Sequence, residues 1–103
     1  MTDATSIIND VAECYGVTAE ALLSTKRARP LPDARSIVSW LLCYTLHMST
    51  TEVGEALHRD HSTVLFAIKK VDDWTSMPKM YARELGLISK LHKKYGTVDE
   101  TGD

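Results

Sequence analysis

The chain has 103 residues, 44% of them apolar and 25% charged, a size and balance that suit one globular domain around one core and leave no room for a second. No apolar run approaches the ~20 residues of a membrane span, and residues 1–6 lack the basic-then-apolar pattern of a leader, so a cytoplasmic protein with no membrane partner is expected. A net charge of -2 and a pI near 6.0 argue against a uniformly basic surface, yet the charge is segregated: residues 1–23 carry four acids and no base, whereas residues 24–36 carry Lys26, Arg27, Arg29 and Arg35 against Asp33 alone.

In chain order, Ile7, Ile8, Val11, Ala12 and Tyr15 recur at helical spacing, and Gly16 ends that segment as a residue tolerant of positive φ. A short second segment covers 18–23 with Thr18 as its N-cap. Prolines 30 and 32 break the helix over 26–32, and Asp33 is expected to cap a third segment that presents Ile37, Val38, Trp40, Leu41, Tyr44 and Leu46. Ser49-Thr50-Thr51-Glu52 fits a capping box, in which the Ser49 oxygen accepts from the third helical amide and Glu52 reaches back to the cap. The fourth helix starts there and ends near Leu57.

His58-Arg59-Asp60 reads as a turn, and Asp60 as the cap of a fifth helix whose Val64, Leu65, Ile68 and Val71 form an inward stripe. A last helix is expected from about Pro78 to Tyr95, with Met80, Leu87, Leu91 and Tyr95 inward and Lys90, Lys93 and Lys94 outward. Residues 97–103 read as a flexible acidic tail. The fold class is therefore all-α, a compact bundle of about five helices forming one domain over 1–96.

Residues 49–73 describe a short helix, a tight turn and a second helix with a polar tip, the pattern of a helix-turn-helix that lays its second helix in a DNA major groove. The exposed tip is Arg59, Asp60, His61, Ser62 and Thr63. These side chains suit base edges and phosphates: a carboxylate accepts from the cytosine amine, a threonine methyl meets thymine, and arginine pairs with guanine or phosphate.

The sequence Asp60-His61-Ser62-Thr63-Val64-Leu65 resembles the D-H-T-T-V-L-H-A signature of the C-terminal DNA-binding domain of the bacterial replication initiator DnaA. Residues 21–29 are similar to that domain's D-L-L-S-K-R-R-S-R loop, and residues 51–57 to its P-E-I-G-D-A-F helix, so the resemblance extends over roughly 7–71. It implies a domain that binds double-stranded DNA at a DnaA-box-like site in replication or transcription control. Arg27 would enter the minor groove, with Lys26, Arg29 and Arg35 in support; Asp60, His61 and Ser62 would face bases, and Thr63 a base or phosphate. Lys69 or Lys70 would meet the backbone, as would the amides at the helix start formed by Ser49, Thr50 and Thr51.

Three departures bear on this. Ser62 stands where the signature has threonine, removing a methyl; the family's Gly-Gly-Arg turn is shortened to His58-Arg59 without glycine, so that either His58 takes an unusual φ or the turn differs; and Asp33 puts a negative charge in the basic stretch. No G-x-x-x-x-G-K-[S/T] loop occurs, so no nucleotide is expected. His58 and His61 straddle a turn without a neighbouring cysteine, so no metal is expected either. Cys14 and Cys43 read as buried free thiols, and nothing supports an enzyme or a cofactor. The alternative function is a protein-interaction adaptor, with a replication or transcription protein as partner, that keeps the fold and binds DNA weakly or not at all.

Overall fold

The computed structural model describes residues 3–96; the acidic tail expected over 97–103 lies outside them. Six helices follow in order: α1 (Asp3–Tyr15), α2 (Ala19–Leu23), α3 (Leu31–Tyr44), α4 (Thr50–Leu57), α5 (His61–Trp74) and α6 (Ala82–Gly96). No strand occurs among the described residues, and the all-α expectation holds, with the short α2 bringing the number of helices to six.

α3 is the spine. Its Leu31, Ala34, Ile37, Val38, Leu41 and Leu42 are all buried, and it packs against each of the other helices. α1 contributes Ile7, Ile8, Val11 and Ala12 to the core, α4 Val53 and Leu57, α5 Val64, Ile68, Val71 and Trp74, and α6 Ile88 and Leu91. Helices this short are marginal in isolation, so their order comes from burying these stripes together. On the opposite side of the bundle, Asp10 ties α1 to α6 by accepting from Lys94 Nζ at 3.0 Å and from the Tyr95 hydroxyl.

Several local expectations are revised. Asp33 is not the α3 cap: the helix begins at Leu31 with Pro32 in its first turn, where a missing N–H costs nothing, and the Asp33 carboxylate pairs with Lys70 instead. The last helix starts at Ala82, because the amides of Met80 and Tyr81 both donate to the Met77 carbonyl and form a turn that stacks Tyr81 on Trp74, ring centroids 4.9 Å apart. Met80 consequently points outward, 69% exposed. Leu65 is 51% exposed because Val64, Ile68 and Val71 already form the buried stripe of α5. Tyr44 lies half out of the core against Trp40. Cys14 is exposed on the open groove between α1 and α6, while Cys43 is half-buried; both are free thiols.

Candidate nucleic-acid interface

The turn between α4 and α5 is built by backbone geometry. Ser49 and Glu52 form the expected capping box, Glu52 N–H donating to Ser49 Oγ at 3.1 Å and Ser49 N–H to Glu52 Oε1 at 2.9 Å. That satisfies two amides at the start of α4, those of Ser49 and Glu52. At the other end, His58 adopts φ 59° and ψ 46°, the left-handed region that the shortened, glycine-free turn requires. The chain then doubles back so tightly that Arg59 N–H donates to the Gly54 carbonyl at 2.7 Å. A side chain at Gly54 would set its Cβ 2.5 Å from the Arg59 carbonyl oxygen, so only glycine fits there.

Asp60 occupies the N-cap of α5, but its carboxylate makes no cap hydrogen bond; its carbonyl accepts from Thr63 and Val64 N–H. The Asp60 side chain and those of His61, Ser62 and Thr63 are all exposed at the helix tip. Their polar groups remain available because the tip projects beyond the core that α5 builds with Val64, Ile68 and Val71.

The basic loop, residues 25–29, is carried on α2 and held from below. Arg35, expected among the DNA contacts, is only 9% exposed, and its guanidinium is taken up by carbonyls: Nε donates to Leu22 at 2.7 Å, and Nη2 to Ala21 at 3.0 Å and Ser24 at 2.8 Å. It lies on the inner face of α3, under the end of α2, whose last carbonyls it caps. Burial, followed by the charges of Arg59 and Arg27, lowers its pKa, although an arginine stays charged at any ordinary pH. Arg59 reaches the same point from the turn, donating through Nη2 to the Ser24 carbonyl and through Nη1 to the carbonyls of Leu57 and His58 at 3.2 Å each. Two guanidinium groups converging on one carbonyl lock the loop to the helix-turn-helix. Lys26, Arg27 and Arg29 are left exposed on its outer side.

Between loop and α5 lies a cleft of about 460 Å³ whose lining includes Arg27, Arg35, Arg59, Thr63, Phe66 and Lys70. Five of the residues singled out from the sequence thus share one wall-to-wall space. Lys70, on the wall of the cleft, has its Nζ 2.8 Å from Asp33 Oδ1 on α3. Three arginines at such short range make the cleft a site of positive potential suited to an anion. Lys26, Arg29, Ser49, Thr50, Thr51, Asp60, His61, Ser62 and Lys69 do not line it; they lie around it on the loop, the α4 start and the outer side of α5. Phe66, which is not among the residues expected at the interface, is 76% exposed. Its signal was present: it falls between the positions of the Val64, Ile68, Val71 stripe, on the opposite face of the helix. Among the described residues no cluster of three metal-ligating side chains occurs, and no helix is long and apolar enough to cross a membrane.

The sequence model of the family described as bacterial dnaA protein helix-turn-helix matches residues 4–71. The chromosomal replication initiator protein DnaA of Brucella abortus biovar 1 (strain 9-941) is 34% identical over 82 residues, which are 79% of this chain and 16% of that protein. Its counterpart in Bartonella quintana (strain Toulouse) is 34% identical over 82 residues, 79% of this chain and 17% of the relative. That of Aquifex aeolicus (strain VF5) is 32% identical over 85 residues, 82% and 21%. The chain therefore spans about a fifth or less of the length of these relatives. No solved structure matches significantly.

Proposed function

The chain belongs to the bacterial DnaA helix-turn-helix family, and on that premise we propose that it is a double-stranded DNA-binding module acting in the control of replication or transcription. In this reading α5 lies in the major groove and the 26–29 loop enters the adjacent minor groove, so that the strand between the two grooves crosses the arginine-lined cleft. The observation that carries the reading is the joint held by Arg35 and Arg59. It locks loop and recognition helix into one rigid unit, and two elements that read neighbouring grooves need a fixed separation.

Arg27 is the minor-groove residue, with Lys26 and Arg29 on flanking phosphates. Asp60, His61 and Ser62 face base edges, Thr63 and Lys70 meet the strand that crosses the cleft, and Lys69 and the Ser49, Thr50 and Thr51 helix start contact phosphates further out. Arg59 and Arg35 serve mainly by positioning, since their donors are committed to backbone carbonyls. The DNA site is of the DnaA-box type, the setting is cytoplasmic, and no reaction is assigned to the module. The second reading, a protein-interaction adaptor, draws support from the net charge of -2 and from the Asp33–Lys70 pair, which withdraws one cation from the interface.

Titration into a labelled duplex bearing the initiator's box and into a scrambled duplex separates the two readings, beside an Arg27→Ala, His61→Ala double variant. Tighter binding to the box, lost in the variant, is the expected result. Absence of binding to either duplex at low salt refutes the DNA reading and leaves the adaptor.

A further inference from the structure

Phe66 is the most exposed large apolar side chain among the described residues, at 76%, and its position is not casual. It lies four residues after Ser62 and three before Lys69, so at helical spacing Ser62, Phe66 and Lys69 form one row on the side of α5 opposite the buried Val64, Ile68 and Val71. The outward face of this helix thus carries a polar group at the tip, an aromatic ring one turn in, and Lys69 and then Asp73 beyond it. Cations lie near the ring: Arg27 and the backbone-bound Arg59 share its cleft, as does Lys70 in its pair with Asp33, and Lys69 shares its row. Exposed apolar surface near cations suits a polyanion that also offers apolar groups, and the major groove of DNA does so through the thymine 5-methyl.

We infer that Phe66 is a specificity-determining residue that packs against a thymine methyl in the major groove, an inference that rests on the DNA-binding reading above. Ser62 lacks the methyl that the family's threonine has at the same place, and its hydroxyl has no apolar group to offer thymine. Phe66 supplies that apolar contact from one turn further along. A helix rises about 6 Å over four residues, so the contacted thymine is a different one from that beneath Ser62. The chain's preferred site should therefore carry a thymine requirement displaced from that expected of a threonine-bearing tip.

The test takes the tightest duplex recovered from a randomised library and replaces each thymine in turn by deoxyuridine, which removes only the 5-methyl. Wild-type protein should lose about fourfold in affinity at one position, as expected for burial of one methyl. Phe66→Ala should bind the parent duplex about fourfold more weakly and become indifferent to uracil at that position alone. Lys69→Ala, a phosphate contact, should weaken binding to every duplex alike and keep the methyl dependence. Because Phe66 is largely in solvent, Phe66→Ala keeps the core intact, as its helical circular dichroism and Tm should report. A wild-type protein that binds a selected duplex, with no uracil effect that disappears in Phe66→Ala, overturns the inference while leaving DNA binding in place. A wild-type protein that enriches no duplex overturns both.

Discussion

Replacing Asp33 by asparagine removes one negative charge from the rim of the cleft and releases Lys70, whose Nζ lies 2.8 Å from the Asp33 carboxylate. Both side chains are about two-fifths exposed, at 40% and 39%, so the pair is screened and its loss should cost less than about 1 kcal/mol of folding stability. The effect on DNA is of similar size and is read directly in affinity. A phosphate seated on Lys70 would lie about 5 Å from Asp33, where two like charges in a water-like dielectric repel by about 0.8 kcal/mol, or about fourfold in affinity. A Lys70 no longer shared with Asp33 should also neutralise its phosphate more completely and steepen the slope of log K against log salt, by up to about 0.9. Fluorescence anisotropy of a labelled duplex over roughly 50 to 200 mM salt reads both quantities from one data set. Asp33→Asn should bind more tightly at every salt concentration, most of all at the lowest. An unchanged slope together with an affinity within twofold of wild type would refute the reasoning, since the Asp33–Lys70 pair would then lie away from the phosphates.

Three further outcomes concern the scaffold that holds the interface. Arg35→Ala deletes a buried guanidinium and strands the carbonyls of Ala21, Leu22 and Ser24, so urea unfolding should show a loss of about 2–4 kcal/mol; Arg35→Lys should not restore it, because a single ammonium cannot reproduce the fork. His58→Gly relieves the left-handed backbone at φ 59° and should raise stability by about 1 kcal/mol, seen as a higher Tm with DNA affinity retained. Tyr15 has a buried hydroxyl with no hydrogen-bond partner, and burial, followed by Glu84, pushes its pKa up to about 12. Its folded value exceeds the ordinary value of 10.0, so its contribution is complete below pH 10 and is lost as pH rises towards 12. Thermal unfolding between these limits should weaken wild type by about 2 kcal/mol more than Tyr15→Phe; equal alkaline losses would show that other groups carry the effect.

Much of the helix-turn-helix was legible from residue order alone, for a physical reason. The Ser49–Glu52 box, the stripe of Val64, Ile68 and Val71, and the left-handed His58 forced by a shortened turn are short-range matters, written in spacings of three to seven residues. The clustering of cations over 26–35 was equally plain. Phe66 too could have been found, because its place opposite the stripe follows from helical periodicity.

What only the tertiary structure decided is where each cation points and what it touches. Arg27 and Arg35 are neighbours in a basic run, yet one is exposed on the loop and the other is buried beneath it, because α3 packs its inner face under the end of α2 and the carbonyls there need donors. Arg59 meets Ser24 across 35 residues, and Asp33 meets Lys70 across helices α3 and α5. The sequence by itself determined that these helices exist and the charge they carry, since both follow from local backbone and side-chain chemistry, while the starts of α3 and α6 did not follow from it. The division of the cations into a surface that can meet DNA and struts that hold that surface in place arises only when the packed core brings distant carbonyls and carboxylates within hydrogen-bond reach.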